Sequence, residues 1–411
     1  MIRLGKYFLC FCMLLNLEFL QAATPADSLI FKQVKRLSDS VSKIIAPDKR
    51  TAIFKTDISG TTNTTVVLET TDANGAAALR QAFQKAGLKV SVKAVVLPAA
   101  DLGEKHYGVV SLSVVNIRRS PDHAAELMTQ ATLGTPLQIL KKENGYYLVR
   151  TPDHYISYVE QIGIASMDAK ATEEWNKAKK LVFTADYGFS YSKADEKSLR
   201  VSDLVNGSIV RLLGKEKNFY QVAYPDNRIA YIPVAQATAF EQWVKRPNPT
   251  SDQILNTAKT MMGVPYLWGG TSVKGVDCSG FTKTSFFLNG VVLPRDASQQ
   301  ALVGETVDIM EGDSLSMPKA LKNLQPGDLL FFAASKGKVA NPRVTHVAIY
   351  MGNGQFIQSA GLVRINSFDP SAKDYTNQSR TIVSARRMLS AIGQPEITRI
   401  DQHKFYTTVQ R

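Results

Sequence analysis

The sequence has 411 residues, of which 44% are hydrophobic and 21% are charged. At roughly 150 residues per domain, this length predicts about two to four globular domains, and the composition excludes collagen-like, coiled-coil and wholly disordered proteins. The 49 Lys and Arg residues exceed the 36 Asp and Glu residues and give a net charge of +13. This charge favours acidic partners such as nucleic acid, anionic lipid or acidic cell-wall polymer, but it does not choose among them.

Residues 1–23 have the organisation of a secretory signal peptide. Arg3 and Lys6 precede an apolar run over 7–20, and Gln21-Ala22-Ala23 follows it. Basic, apolar and small residues in this order predict export, with cleavage near Ala22 or Ala23. A membrane anchor is the alternative, but the run is shorter than the ~20 apolar residues that span a bilayer, and Glu18 interrupts it. We therefore expect a protein of the periplasm or cell envelope with no membrane span.

Export leaves one cysteine without a partner. Cys10 and Cys12 lie in the signal segment, so Cys278 would be the single cysteine of the mature chain, in an oxidising compartment. A buried apolar cysteine is one interpretation. The other is a nucleophile, which needs a base and an activating environment nearby.

Residues 24–110 alternate between helical and extended patterns and predict an N-terminal α/β domain. A helix is expected over 76–86, opened by Asp72 or Asn74 and closed by Gly87, and an apolar strand over 88–96 follows. No motif in this region points to a function.

An internal repeat follows. Residues 134–159 align without gaps on 207–232, an offset of 73 positions. Each copy has short alternating apolar runs split by a Pro-Asp turn, which is typical of a small antiparallel barrel. With Val115-Asn116-Ile117-Arg118 and Gly134-Thr135-Pro136, the first copy resembles a bacterial SH3-like domain. We place two such domains at 111–165 and 175–245.

A third unit begins after the linker Pro247-Asn248-Pro249 and is expected over 250–395. Thr250 and Gln253 form a capping box for its first helix. Further on, Asp277-Cys278-Ser279-Gly280 precedes an aromatic-rich segment that ends at Asn289-Gly290, which predicts that the thiol lies in the first turn of a buried helix. The free amides and the positive dipole end of a helix N-terminus stabilise a thiolate.

The base would be one of five histidines: His106, His123, His154, His346 and His403. Only His346 lies in a strongly patterned strand of the third unit, where it shares a face with Ala348 and Tyr350. A satisfied core histidine is the alternative interpretation.

Gly352-Asn353-Gly354 joins this strand to the next one, which carries Gln358. A two-residue turn would place Gln358 opposite Ile349, on the wrong face. A three-residue loop with left-handed Gly354 would place it opposite Ala348, diagonal to His346, and only this register lets its amide orient the imidazole.

Six motifs in this order resemble the NlpC-type cell-wall cysteine peptidases: Tyr266-Leu267-Trp268-Gly269-Gly270, Asp277-Cys278-Ser279-Gly280, Leu293-Pro294-Arg295-Asp296, Pro326-Gly327-Asp328-Leu329, Thr345-His346-Val347-Ala348-Ile349-Tyr350 and Phe356-Ile357-Gln358. The resemblance covers about 250 to 390. It implies an α+β fold with a papain-like peptidase domain, in which Cys278 attacks, His346 is the base and Gln358 orients it. The third position is more often His in the family, although an amide can also hold the ring.

The whole arrangement, an α/β segment and two SH3-like barrels before the peptidase, resembles the branch that cleaves the γ-D-glutamyl to L-diamino acid bond of wall peptides with a free N-terminal L-Ala. By resemblance, Asp277 faces the substrate ammonium, Tyr266 lies near the oxyanion, and Ser279 and Asp296 line the pocket. The Glu-Leu-x-Thr-Gln and Asp-x-Tyr stretches of the first barrel make Glu126 and Tyr155 candidate amine ligands. A solvated glutamate and a core tyrosine remain the alternatives.

Other classes of function find little support. Gly270 to Gly275 lacks the ending of a phosphate-binding loop, no Cys or His pair has zinc spacing, and no basic run interleaves with aromatic residues. We expect a monomer that acts on peptidoglycan-derived peptides, with no cofactor, metal or nucleic acid. The rival functions are an endopeptidase of intact murein, which needs an open cleft, and a non-catalytic wall-binding protein with a vestigial third unit.

Overall fold

The computed structural model describes residues 25–60, 64–334, 342–375 and 380–407. The predicted signal segment, with Cys10 and Cys12, lies outside these residues. Two compact units divide the described residues: one contains 25–47 together with the described part of Phe54–Val95, and the other contains Asp48–Ile53 together with the described residues from Val96 onward. No helix in the described ranges combines the length and apolarity needed to cross a bilayer.

The first unit packs two helices against a three-stranded sheet with the order β1-β2-β3. Its core contains Val34, Leu68, Leu79 and Phe83. Gly87 has a φ of +68° and ends the second helix, as predicted, whereas the third strand starts at Ser91, three residues later than expected. The elements are α1 (Pro25–Ile45), β1 (Phe54–Ser59), β2 (Thr65–Thr70), α2 (Gly75–Lys85) and β3 (Ser91–Val96).

The second unit begins with a seven-stranded sheet with the order β10-β4-β7-β8-β9-β5-β6, whose strands pair antiparallel around an apolar core. The strands are β4 (Tyr107–Val110), β5 (Val114–Arg118), β6 (Leu127–Thr132), β7 (Pro136–Glu143), β8 (Tyr146–Arg150), β9 (Ile156–Glu160) and β10 (Ile164–Met167), and α3 (Ala169–Lys177) follows. We call this sheet the first barrel.

A second seven-stranded sheet, the second barrel, has the order β13-β12-β16-β15-β14-β11-β17. The repeat offset of 73 positions carries β7, β8 and β9 onto β14, β15 and β16 residue for residue, so the repeated sequence encodes the central strands of both barrels. The elements are β11 (Lys180–Phe183), β12 (Tyr187–Tyr191), β13 (Arg200–Val205), β14 (Ile209–Glu216), β15 (Phe219–Ala223), β16 (Ile229–Pro233), β17 (Ala237–Ala239) and α4 (Phe240–Val244).

The last part of the chain is an α+β domain whose main sheet has the order β21-β28-β24-β25-β26-β27. Its first elements are α5 (Ser251–Thr260), β18 (Thr271–Ser272), β19 (Gly275–Val276), α6 (Cys278–Phe287), β20 (Val291–Val292), α7 (Ala297–Gln300), β21 (Glu305–Val307), β22 (Met310–Glu311), β23 (Ser314–Leu315) and α8 (Met317–Asn323). The remaining elements are β24 (Leu329–Ala333), β25 (His346–Gly352), β26 (Gln355–Ala360), β27 (Leu362–Ser367), β28 (Thr381–Arg387), β29 (Thr398–Arg399) and α9 (Lys404–Thr407).

The capping box of Thr250 and Gln253 is present at the start of α5, as predicted. Helices α5 and α6 pack on one face of the main sheet, where Phe281 and Phe286 of α6 meet Val347 and Ile349 of β25. Alternation along β25 therefore directs Val347 and Ile349 toward the helices and His346 to the opposite face. This packing places the N-terminus of α6 beside the first residues of β25.

Candidate active site

Cys278 is the first residue of α6, at the N-terminus of a buried helix, as the sequence predicts. Asp277 caps this helix and accepts a hydrogen bond from Gly280 N at 2.6 Å. A Cβ atom on Gly280 would lie 2.0 Å from the carbonyl oxygen of Gly270, so only glycine lets the helix approach the loop that follows Tyr266. The helix, its cap and this loop therefore hold the thiol in one position.

The thiol is un-ionised at neutral pH in the free protein. Burial, together with the negative charge of Asp277, raises the pKa of Cys278 to about 11. Hydrogen bonds from the backbone amides of Val347 and Ser279 oppose this increase in part. The bond from Val347 also locates the sulfur beside the peptide that joins His346 to Val347.

His346 and Gln358 are in direct contact, with 2.6 Å between Nε2 and Oε1. The strands pair Ile349 with Ile357, so Gln358 lies at the level of Ala348 and diagonal to His346. This is the register expected of a three-residue loop, and Gly354 has the expected left-handed φ of +78°. The turn itself, however, has two residues, Asn353 and Gly354, and is closed by the pair Gly352–Gln355; a bulge between Tyr350 and Gly352 produces the register. The hairpin therefore directs the amide of Gln358 to the imidazole.

The imidazole is neutral as well. His346 is 1% exposed, and its ring lies edge-on to Phe332 at 5.3 Å between centroids. Burial lowers the pKa of His346 to about 4, and the hydrogen bond with Gln358 offsets only part of this decrease. Cys278 and His346 are therefore both uncharged at pH 7.

A buried polar network lies beside Cys278. The guanidinium of Arg295 donates to both carboxylate oxygens of Asp277, at 2.6 and 3.2 Å, and to the hydroxyl of Ser279 at 3.0 Å. Its Nε donates to Thr129 of the first barrel at 2.8 Å. Asp277 also accepts from the backbone amides of Gly269 and Gly280 and from the hydroxyl of Ser279, so five donors share its two oxygens.

Four N–H groups donate to the Asp277 carboxylate, two from backbone amides and two from Arg295, and the Ser279 hydroxyl is the fifth donor at 3.2 Å. The sequence places Arg295 inside a motif, but its role emerges only when the fold brings it to Asp277, 18 positions away. The network therefore holds the helix cap, Ser279 and the first barrel together.

Asp296 and Tyr155 lie together at a second part of the site. The Tyr155 hydroxyl donates to Asp296 Oδ2 at 3.4 Å, and Arg50 donates to the same oxygen at 2.8 Å. Burial raises the pKa of Tyr155, and the charge of Asp296 adds to the increase, so the phenol keeps its proton. Arg50 has no signal in the sequence, because it lies 246 positions from its partner.

Tyr266 is half-buried near Cys278. Burial raises the pKa of its phenol, and the neighbouring acidic groups Cys278 and Asp277 raise it further. The phenol is therefore a hydrogen-bond donor throughout the neutral range. This property suits a group that stabilises an oxyanion.

Glu126 of the first barrel reaches the loop that carries Tyr266. Its Oε1 accepts from the indole of Trp268 at 3.0 Å, and Arg119 pairs with Oε2 at 2.6 Å. Gly269 lies against Leu127, so the first barrel and this loop are in close contact. Within the described ranges, no three His, Cys, Asp or Glu side chains are grouped as a metal site requires.

The comparisons with known proteins agree with this geometry. The NlpC/P60 family matches residues 263–384, and the bacterial dipeptidyl-peptidase Sh3 domain matches 117–162. A γ-D-glutamyl-L-lysine dipeptidyl-peptidase of Bacillus cereus is 31% identical over 58% of this chain and 68% of its own length. Dipeptidyl-peptidase 6 of Lysinibacillus sphaericus is 27% identical over 67% of this chain and 97% of its own length.

A crystal structure of an NlpC/P60 family protein from Bacillus cereus has the same fold, with a TM-score of 0.57 and 24% identity over 69% of this chain and 99% of that one. The predicted α+β fold, with SH3-like barrels before the peptidase, is confirmed. So is the prediction of a cysteine peptidase. The chain belongs to the NlpC/P60 family of cysteine peptidases.

Proposed function

We propose that this protein cleaves the γ-D-glutamyl to L-diamino acid bond of peptidoglycan stem peptides that have a free N-terminal L-Ala, in wall turnover or recycling. The contact of Glu126 in the first barrel with Trp268 in the peptidase carries the proposal, because it places a carboxylate of a second domain beside the loop of the site. A wall at this position limits the length of the substrate on one side of Cys278. The names of the relatives, which are dipeptidyl-peptidases, support the same substrate class.

In the proposed reaction, His346 takes the thiol proton as the sulfur of Cys278 attacks the γ-carbonyl carbon. The phenol of Tyr266 donates to the oxyanion that forms. The imidazolium then returns the proton to the leaving amine of the diamino acid, and water, deprotonated by His346, hydrolyses the thioester. Gln358 holds the imidazole through the 2.6 Å hydrogen bond.

Recognition of the N-terminal ammonium is assigned to Asp277, Glu126 and Tyr155, with Ser279 and Asp296 lining the pocket. Each of the three carboxylates, Asp277, Glu126 and Asp296, already has an arginine partner. They differ in how exposed that partner is. Arg295 is 1% exposed in its pair with Asp277, whereas Arg119 is 66% exposed in its pair with Glu126. An exposed ion pair contributes little to stability, so replacing Arg119 by a substrate ammonium at Glu126 loses the least free energy of the three.

We further propose that residues 1–23 are a cleaved signal peptide and that the mature protein acts as a monomer in the periplasm or cell envelope. The domain boundaries proposed from the sequence are 24–110, 111–165, 175–245 and 250–395. The order of basic, apolar and small residues at the N-terminus supports export.

The test uses L-Ala-γ-D-Glu-diamino acid tripeptides, containing either lysine or meso-diaminopimelate, each with a free and an N-acetylated amine. Products are identified by mass spectrometry, with Cys278→Ala as the inactive control. We expect the free tripeptide to be cleaved at least about a hundredfold faster, because acetylation leaves buried polar groups unpaired. Glu126→Gln should narrow this ratio.

Equal cleavage of the free and acetylated peptides would reject the proposal in favour of an endopeptidase of intact murein. Binding of wall fragments without cleavage of either peptide would favour the non-catalytic wall-binding protein.

A further inference from the structure

A neutral imidazole carries one proton on one of its two nitrogens, and only the other nitrogen can act as a base. In His346, Nε2 lies 2.6 Å from Gln358 Oε1. An amide oxygen can only accept a hydrogen bond, so Nε2 must carry the proton. Nδ1 is then the nitrogen that can receive the thiol proton.

The orientation of the Gln358 amide therefore decides the tautomer. A half turn of this amide exchanges its oxygen and nitrogen with almost no change of shape. The turned amide would present N–H groups to His346 and would favour the opposite tautomer, with the proton on Nδ1. A neighbour on the far side of Gln358 must select one of the two orientations.

That neighbour is Asn366 on β27. Gln358 Nε2 donates to Asn366 Oδ1 at 2.8 Å, and Asn366 Nδ2 donates to the backbone oxygen of Asp374 at 3.3 Å. Asn366 is itself an amide that could adopt either of two orientations, so alone it would not fix the orientation of Gln358. A backbone carbonyl, however, has no hydrogen to donate, so the series of hydrogen bonds ends in a fixed acceptor.

The burial and hydrogen bonding around Gln358 and Asn366 hold the Gln358 amide in this orientation. Asn366 pairs with Phe356, two residues before Gln358, so both amides lie on one face of the β26–β27 hairpin. Gln358 is 0% exposed, which leaves no direct access for bulk water to replace a lost partner. The carbonyl of Asp374 is held in place by a second donor, Ser367 N, at 2.9 Å.

We propose that Asn366 is a positioning residue that fixes the tautomer of His346 through Gln358, leaving Nδ1 free to accept the proton of Cys278. The effect of Asn366 on catalysis rests on the proposed function, but the tautomer of His346 is a property of the resting protein. The charged groups that act on His346 are Arg380 and Asp277, and they remain unchanged in the variants below.

The test measures the tautomer directly, by 15N NMR of protein labelled at histidine, at neutral pH, where His346 is uncharged. The signal of His346 is assigned by its loss in His346→Ala. We expect wild type to have the proton on Nε2 alone, and Asn366→Leu to populate both tautomers. Its kcat should fall about tenfold, the effect of one lost hydrogen bond of ordinary strength, with KM unchanged.

Two further variants separate this role from a structural one. Asn366→Ala removes the amide without adding bulk and should behave as Asn366→Leu does, which covers the case in which leucine prevents folding. Asn366→Asp keeps an acceptor for Gln358 Nε2 and should retain the wild-type tautomer. The matched control is Gln355→Leu, which removes an exposed 2.9 Å hydrogen bond to the side chain of the same Asp374 and should change neither readout.

A single wild-type tautomer in both Asn366→Leu and Asn366→Ala would overturn the proposal, as would its loss in Asn366→Asp. If wild-type protein fails to cleave the tripeptides, the proposed function fails. The NMR result would still decide whether Asn366 selects the tautomer.

Discussion

The ion pair between Lys283 and Asp153 connects helix α6, which carries Cys278, to the first barrel. Lys283 lies on α6, five residues after Cys278, and its Nζ is 2.5 Å from Asp153 Oδ2. The side chain of Asp153 is wholly buried, and the hydroxyl of Thr151 donates to the same carboxylate. Removing the lysine therefore leaves a buried charge with one neutral donor.

We expect Lys283→Met to lower the free energy of unfolding by about 3–5 kcal/mol at neutral pH, the usual cost of breaking one side of a buried pair. The matched control is Lys177→Met, which removes an exposed pair with Glu173. Exposed pairs contribute about 1 kcal/mol or less, so the control should unfold almost as wild type does.

The free energy of unfolding lost in Lys283→Met should decrease as the pH falls. Burial alone would raise the pKa of Asp153. The charge of Lys283 and the hydrogen bonds from Lys283 and Thr151 lower it by more, so the net pKa lies below the usual value. In wild type, the stability from ionised Asp153 is present above the unfolded pKa and is lost as pH falls through the folded pKa. Without Lys283, burial dominates, the folded pKa exceeds the unfolded one, and protonation relieves the buried charge. The difference in unfolding free energy between wild type and Lys283→Met should therefore shrink as the pH falls from neutral through the acidic range.

Urea unfolding followed by tryptophan fluorescence measures this effect, because Trp175, Trp243 and Trp268 all lie in the second unit. A loss below about 1 kcal/mol at pH 7 would contradict the reasoning, since it would equal that of an exposed pair. So would a loss that stays constant or grows as the pH falls.

Three further predictions concern the catalytic groups. Cys278→Ala should abolish cleavage of the tripeptides while the thermal unfolding midpoint stays close to that of wild type, and substantial turnover by the pure variant would exclude the cysteine mechanism. Alkylation of Cys278 by iodoacetamide should be slow at pH 7, where about one thiol in ten thousand is ionised four units below a pKa of about 11, and its rate should rise with pH; a rate that is already maximal at pH 7 would contradict the neutral resting state. Gln358→Ala should lower kcat but retain more activity than His346→Ala, whereas Gln358→His should be tolerated, because a neutral imidazole can accept from His346 and donate to Asn366; the order of the three rates tests this.

The parts of the site that the sequence predicts are set by local rules. The Asp277 cap and the aromatic run predict that Cys278 starts a buried helix, and α6 does start there. Gly352-Asn353-Gly354 leaves two possible registers, and the structure has the one that brings Gln358 to His346. The repeat offset likewise predicts matching strands in the two barrels. Each prediction depends on residues within one turn, hairpin or repeat.

The electrostatic partners could not be predicted in this way. Arg295 is 18 positions from Asp277, Trp268 is 142 positions from Glu126, and Asp153 is 130 positions from Lys283. Helical and strand periodicities carry no information about such pairs, because the docking of one domain on another creates them. The substrate-binding roles of Asp277, Glu126 and Tyr155 stay predictions for the same reason.

The short segment 48–53 has a consequence for the order of folding. Arg50 hydrogen-bonds to Asp296, and its carbonyl accepts from Ile156 N at 2.7 Å, so an early part of the chain completes a surface built from residues that follow it by more than a hundred positions. Contacts of such high sequence separation have a large loop-closure cost and form late. The peptidase domain can therefore gain its core before Arg50 docks, and a nascent chain would acquire its finished cleft only after the last domain has been synthesised.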